Sequence, residues 1–133
     1  MRTRNVLTES DAIAIAAACR MEAEKNSWKV SIAIVDEAGY LLRLERMDGA
    51  PLPSAAIAMG KARTSALAKA PTKALEDVIK DRPAVLSFPD RVPVQGGIPL
   101  LYEGECVGGI GISGVKSAED EQVALAGAKA LAA

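Results

Sequence analysis

Apolar and polar positions alternate along this chain with two distinct periods. Near the start, Ile13, Ala16, Ala17 and Met21 recur at helical spacing. They follow Thr8-Glu9-Ser10-Asp11, which reads as a helix start with Thr8 capping and Asp11 at the third helical position. Leu7 is placed to pack on Ala12, and Glu22 to Asn26 closes the segment. The period then changes to two: from Lys29 to Val35, Val30, Ile32 and Ile34 face one way, Ser31 and Ala33 the other. Asp36-Glu37-Ala38-Gly39 turns the chain into Tyr40 to Arg46, which predicts an antiparallel hairpin. Residues 47–53 break the pattern. Ser54 is expected to cap a second helix, Ala55 to about Lys69, that stops at Ala70-Pro71. A shorter helix runs from Thr72 to about Lys80. Asp81 to Pro99 is irregular, with Pro83, Pro89, Pro93 and Pro99 and the Gly96-Gly97 pair. So long a stretch without regular structure is uncommon in a compact domain and often functional. Ile98 to Tyr102 and Glu105 to Ile112 form a second hairpin around Glu103-Gly104. A last helix opens at Ser117, with Val123, Ala124, Gly127 and Leu131 on one stripe. The order α-β-β-α-α-β-β-α describes an antiparallel sheet with helices on it, an α+β fold in one domain over 1–133.

Gly109-Ile110-Gly111-Ile112-Ser113-Gly114 matches the G-x-G-x-x-G fingerprint of dinucleotide sites. The fingerprint requires a second parallel strand after the helix and an acidic residue about 20 positions on. Neither is found here, and Val115-Lys116-Ser117 separates Gly114 from the helix. The better reading is a glycine-rich hairpin strand that another backbone, a partner subunit or a ligand approaches closely.

Composition narrows the chemistry. Half the residues are apolar and 3% are aromatic, with Trp28, Tyr40, Phe88 and Tyr102 the four aromatic side chains. Alanine, with 25 copies, is the commonest residue, so helix faces are thin and pack closely. Net charge is −1, from 16 basic and 17 acidic residues without like-charge blocks, which leaves no nucleic-acid footprint. No apolar run approaches the ~20 residues of a membrane span. No hydrophobic signal core follows Met1-Arg2-Thr3-Arg4, so a cytoplasmic location is expected. Cys19 and Cys106 make neither a disulfide framework nor a zinc site and read as small buried hydrophobes. Histidine is absent, which removes imidazole bases and the usual metal sites; no metal site is expected.

The motifs V-D-x-x-G at Val35 to Gly39, R-M-D-G-A at Arg46 to Ala50, K-A-R-T at Lys61 to Thr64, G-G-I-P at Gly96 to Pro99, and G-I-G-I-S-G followed by Glu119-Asp120 stand together. In this combination the chain resembles the GlcG/HbpS-like family, the haem-binding-type domain also found at the C-terminus of some corrinoid adenosyltransferases. The resemblance runs from about Leu7 to Ala130. It implies a profilin-like α+β domain with a five-stranded antiparallel sheet flanked by helices. It also implies a homo-oligomer, a dimer-based tetramer or octamer. Some members bind haem, and a secreted one is linked to haem breakdown and iron sensing. Others accompany glycolate or diol metabolism with no settled activity. The histidine ligation used by some haem-binding members is impossible here. The remaining axial candidates are Tyr40, Tyr102, Cys106, Met21, Met47, Met59 or a lysine, each more readily read as structural. No cofactor is firmly implied, and haem is the one to test.

Few polar residues in these motifs could carry chemistry. Lys61 lies mid-helix, four residues after Ile57 and on the face that the helix should bury. A lysine there must meet a carboxylate or a substrate anion, or lose its charge, unless its stem snorkels to solvent. Asp36, Asp48, Glu119 and Asp120, or an oligomer mate, are the partners within reach. Asp36 either bonds the amides of its own turn or meets a ligand, and Arg46 and Asp48 either pair with each other or do so. Gly96-Gly97 and Ser113-Gly114 offer backbone amides to an anion, and Arg91 could close over them. Together these residues predict a pocket for a small carboxylate-bearing molecule. The leading reading is therefore an oligomeric protein that binds a small anionic or tetrapyrrole-like ligand. The alternative is a small cofactor-free lyase or isomerase acting on a small carboxylate or aromatic substrate. There Lys61 would be base or electrophile, and Asp48 or Glu119 its proton partner. A purely structural accessory subunit is a third.

Overall fold

A computed structural model describes residues 1–132. The elements are α1 (Glu9–Lys25), β1 (Ser31–Asp36), β2 (Leu41–Arg46), α2 (Ser54–Ala68), α3 (Thr72–Asp81), a 3-10 segment (Pro83–Ser87), β3 (Gly97–Tyr102), β4 (Glu105–Ser113) and α4 (Ser117–Ala132). The strands form one antiparallel sheet in the order β2-β1-β4-β3. The resemblance implied a fifth strand, but the sheet has four among the described residues. The long segment between α3 and β3, read as irregular in the sequence and containing Pro83, Pro89 and Pro93, forms the 3-10 segment and a loop.

Both hairpins are set by their turns. Glu103 and Gly104 have φ of 50° and 77°, the two consecutive positive values of a two-residue turn whose twist matches its strands. The β1–β2 turn carries Gly39 at φ 86°, and the Asp36 carboxylate accepts from the amides of Ala38 and Tyr40, both at 2.9 Å.

Two unlike cores sandwich the sheet. On one face Ile32, Ile34, Ile110, Ile112 and Leu100 meet α1 and α4, making a thick aliphatic core. On the other, Ala33 and Val35 meet Ala58, Ala62 and Ala66 of α2. The glycine strand explains the thinness of that second core. A Cβ at Gly109 would lie 2.5 Å from the Ala62 carbonyl oxygen, and one at Gly111 would overlap the backbone at Ala58 and Ala62. The backbone that approaches β4 is therefore α2 of the same chain, which occupies the place expected for a ligand or a second subunit.

Helix α1 opens with the full capping box, Thr8 and Asp11 bonding each other's backbone amides. Its buried stripe, however, is Ala12, Ile15, Ala16, Cys19 and Ala23; Ile13, Ala17 and Met21 face out. Alanines on every side of this helix make the two stripes nearly equivalent in hydrophobicity. The choice follows the fit to α4, where Gly127 receives the Cys19 thiol. Ser54 is the first residue of α2 and makes no cap. Its hydroxyl donates to the Pro51 carbonyl at 2.5 Å and accepts from Ser31 at 2.8 Å, tying α2 to β1.

Candidate functional site

Lys61 is 2% exposed and does not snorkel. Its ammonium donates to the Ile112 carbonyl at 2.9 Å and to Asp120 Oδ2 at 3.1 Å. The other Asp120 oxygen accepts from the Val115 amide at 3.1 Å, bracing the turn that leads into α4. Gly96 closes over the pair: a Cβ there would lie 2.8 Å from Lys61 Nζ and 3.1 Å from Asp120 Cβ. The next residue, Gly97, sits against the Lys61 carbonyl, and its amide donates to Thr72 Oγ1 at 2.8 Å. This knot joins α2, α3, α4, β3 and β4 through hydrogen bonds. Burial pushes the Asp120 carboxyl above its usual range, opposed by the Lys61 charge and the Val115 amide.

The knot brings together some of the residues singled out in the sequence and leaves out others. Lys61, Gly96 and Gly97 come together, and Ser113 and Gly114 continue from Ile112 on β4. Of the four carboxylates within reach, Asp120 is the partner. Glu119 accepts from the Lys116 amide at 3.2 Å, and Asp48 is exposed, so neither stands at Lys61 as a proton partner. Asp36 is committed to its own turn at the far end of β1, opposite Gly108 rather than Ser113. Arg46 pairs in register with Ser31, is exposed, and makes no ion pair with Asp48 among the described residues. Arg91 lies outside the knot altogether.

Arg91 belongs to a second arrangement that the sequence reading missed. The loop at residues 88–92 docks on α2 through Val92, whose amide donates to Thr64 Oγ1 at 2.7 Å and whose side chain fills the space over Gly60. Docking places Arg91 beside Arg63, and with Gly60, Phe88, Asp90 and Val92 they line an open depression of about 500 Å³. Arg63 Cζ stands 5.7 Å from the Tyr40 ring centroid, and its guanidinium makes long contacts to the Ala38 and Gly39 carbonyls, both at 3.4 Å. Arg91 donates to the Pro89 carbonyl at 3.2 Å. Neither arginine has a carboxylate partner among the described residues, although Asp90 shares the depression. Phe88 is 54% exposed at the same place. Sequence carried two hints of this site: Arg63 within K-A-R-T, and a lone phenylalanine in a proline-rich loop.

The candidate axial ligands for haem are scattered. Tyr102, 41% exposed, lines a different depression of about 390 Å³ with Asn5, Val6, Leu7, Asp11, Val107 and Leu131. Tyr40 lies under Arg63, Met47 is buried in the aliphatic core, Met21 is exposed on α1, and Met59 packs at the edge of the alanine core. The Cys106 thiol donates to the Gly108 carbonyl at 3.4 Å, and burial pushes the Cys19 thiol up to about 12, which keeps it protonated and inert. Haem asks for an iron ligand and for cations at its propionates. Here a tyrosine lines one depression and paired arginines another. The arginine depression is lined by no Tyr, Cys, Met or Lys among the described residues.

A family model described as haem degrading protein HbpS-like matches residues 7–129. Protein GlcG of Escherichia coli K12 is 42% identical over 114 residues, 85% of each chain. Among solved structures, a double mutant of HbpS from Streptomyces reticuli superposes with a TM-score of 0.93 at 36% identity, over 98% of this chain and 90% of that one. The complex of PduOC with heme superposes with a TM-score of 0.87 at 28% identity, over 95% of both chains.

Proposed function

The chain belongs to the HbpS-like family, and from that premise we propose that it is a homo-oligomeric binding protein for a tetrapyrrole-like or other small anionic ligand. The observation that carries this reading is the likeness over 95% of the chain to PduOC, whose structure was solved as a heme complex. Two features of this chain support it. The depression lined by Arg63, Arg91 and Asp90 carries an excess of positive charge beside an exposed aromatic ring, a combination that favours a carboxylate-bearing flat molecule. The edge strand β2 presents Leu41, Leu42 and Leu44 to the outside, apolar area suited to a subunit contact. When bound, haem would bring redox-active iron; this chain's own part is to hold the ring and neutralise its acids.

Titration of the purified protein with haemin, followed by absorbance, tests the reading. It predicts a shifted Soret band that saturates at one haemin per subunit or per dimer. A featureless response that keeps growing with added haemin would remove tetrapyrrole from the account.

A further inference from the structure

We propose that the Arg63–Arg91–Phe88 depression recognises its ligand through carboxylates and a flat apolar ring, without any bond to a metal. This inference rests on the ligand-binding reading above and narrows it to a place and a ligand chemistry. Arg63 and Arg91, neither in an ion pair among the described residues, line one depression; their guanidiniums hold only backbone carbonyls and the Tyr40 ring, and a guanidinium is a planar fork of donors that matches a carboxylate. Phe88 and Val92 supply the apolar wall. The site is also built to keep its shape. Thr64 Oγ1 donates to the Gly60 carbonyl at 2.7 Å while accepting from the Val92 amide, so one side chain fixes both the helix and the loop that carries Arg91. Gly60 admits the Val92 side chain, which a larger residue would push away. Asp90, at φ 55°, turns the loop between Pro89 and Arg91. No side chain lining the depression is an iron ligand of the haem type.

Two sources offer this chemistry: the propionate edge of a tetrapyrrole, or a small aromatic acid. Parallel titrations with haemin, metal-free protoporphyrin IX, its dimethyl ester and 2-naphthoate distinguish them. Each is run on the wild type and on Arg91→Gln and Arg63→Gln, with amide chemical shifts of residues 88–92 followed by NMR. Recognition through carboxylates predicts that haemin and protoporphyrin IX bind within about threefold of each other, and that the ester is weaker by tenfold or more. Each Arg→Gln change should cost about tenfold, the scale of one charge-assisted hydrogen-bonded contact. Arg91→Gln is the cleaner variant, since Arg63 also packs on Tyr40. Haemin binding that is unchanged in both variants would overturn the assigned site while leaving the binding function intact. Haemin far tighter than protoporphyrin IX, or ester as tight as acid, would also overturn it. Arginine-dependent binding of 2-naphthoate with no porphyrin binding would keep the site and remove the tetrapyrrole.

Discussion

At Lys61 a full positive charge is held at the centre of the molecule, and the pairing with Asp120 decides what it does there. Removing one member of a buried pair leaves the other without compensation and costs about 3–5 kcal/mol. Lys61→Met should therefore destabilise strongly, and Lys61→Met combined with Asp120→Leu should recover most of the loss. Chemical denaturation of the three variants measures this; a double variant as unstable as the single would contradict it. The pH dependence follows from the carboxyl. Burial already raises Asp120, and Lys61 opposes that rise. Removing Lys61 leaves burial opposed only by the Val115 amide, so the carboxyl rises further. A carboxyl raised in the folded state contributes stability below its unfolded value and loses it as pH rises through the folded one. The deficit of Lys61→Met relative to wild type should then widen as pH rises above the unfolded carboxyl value. A deficit that does not change with pH would show that Asp120 does not carry the effect.

Between elements, the glycines of β4 control how closely α2 can lie. Gly111→Ala puts a methyl group into the α2 backbone at Ala58 and Ala62, which neither element can vacate without moving. Overpacking of this kind should cost about 3 kcal/mol, or roughly 10 °C in Tm. Gly104→Ala meets nothing within 4 Å and costs only its positive φ, about 1 kcal/mol. Equal Tm losses for the two would contradict close packing of α2 on β4. Much of this level was legible in the sequence. The period-two runs, Gly39 and Glu103-Gly104 announce both hairpins, and Thr8 with Asp11 announces α1. The buried stripe of α1 was not legible, because nearly uniform alanine leaves the choice to the shape of α4 around Gly127. At the candidate site, the burial of Lys61 was visible from its place in α2, and its need for a carboxylate follows. Which carboxylate it meets depends on where the β4–α4 turn brings Asp120. The Arg63–Arg91 depression escaped notice because its residues are 28 positions apart and meet only through the docking of Val92 on Thr64.

For the whole molecule, a sheet covered on one face by two helices and on the other by α2 leaves the β2 side of the α2 face open. Leu44 pairs in register with Ala33 and points to that side, 37% exposed. If subunits meet there, Leu42→Glu with Leu44→Glu should lower the sedimentation mass to that of one chain without loss of helix content by circular dichroism. An unchanged mass would move the contact elsewhere. Native mass spectrometry of the wild-type protein with and without haemin reads ligand and assembly at once. Species at whole multiples of 13.8 kDa are expected, each gaining whole numbers of haemin without changing its subunit count. A single-chain species that acquires only a graded, non-stoichiometric haemin adduct would contradict this.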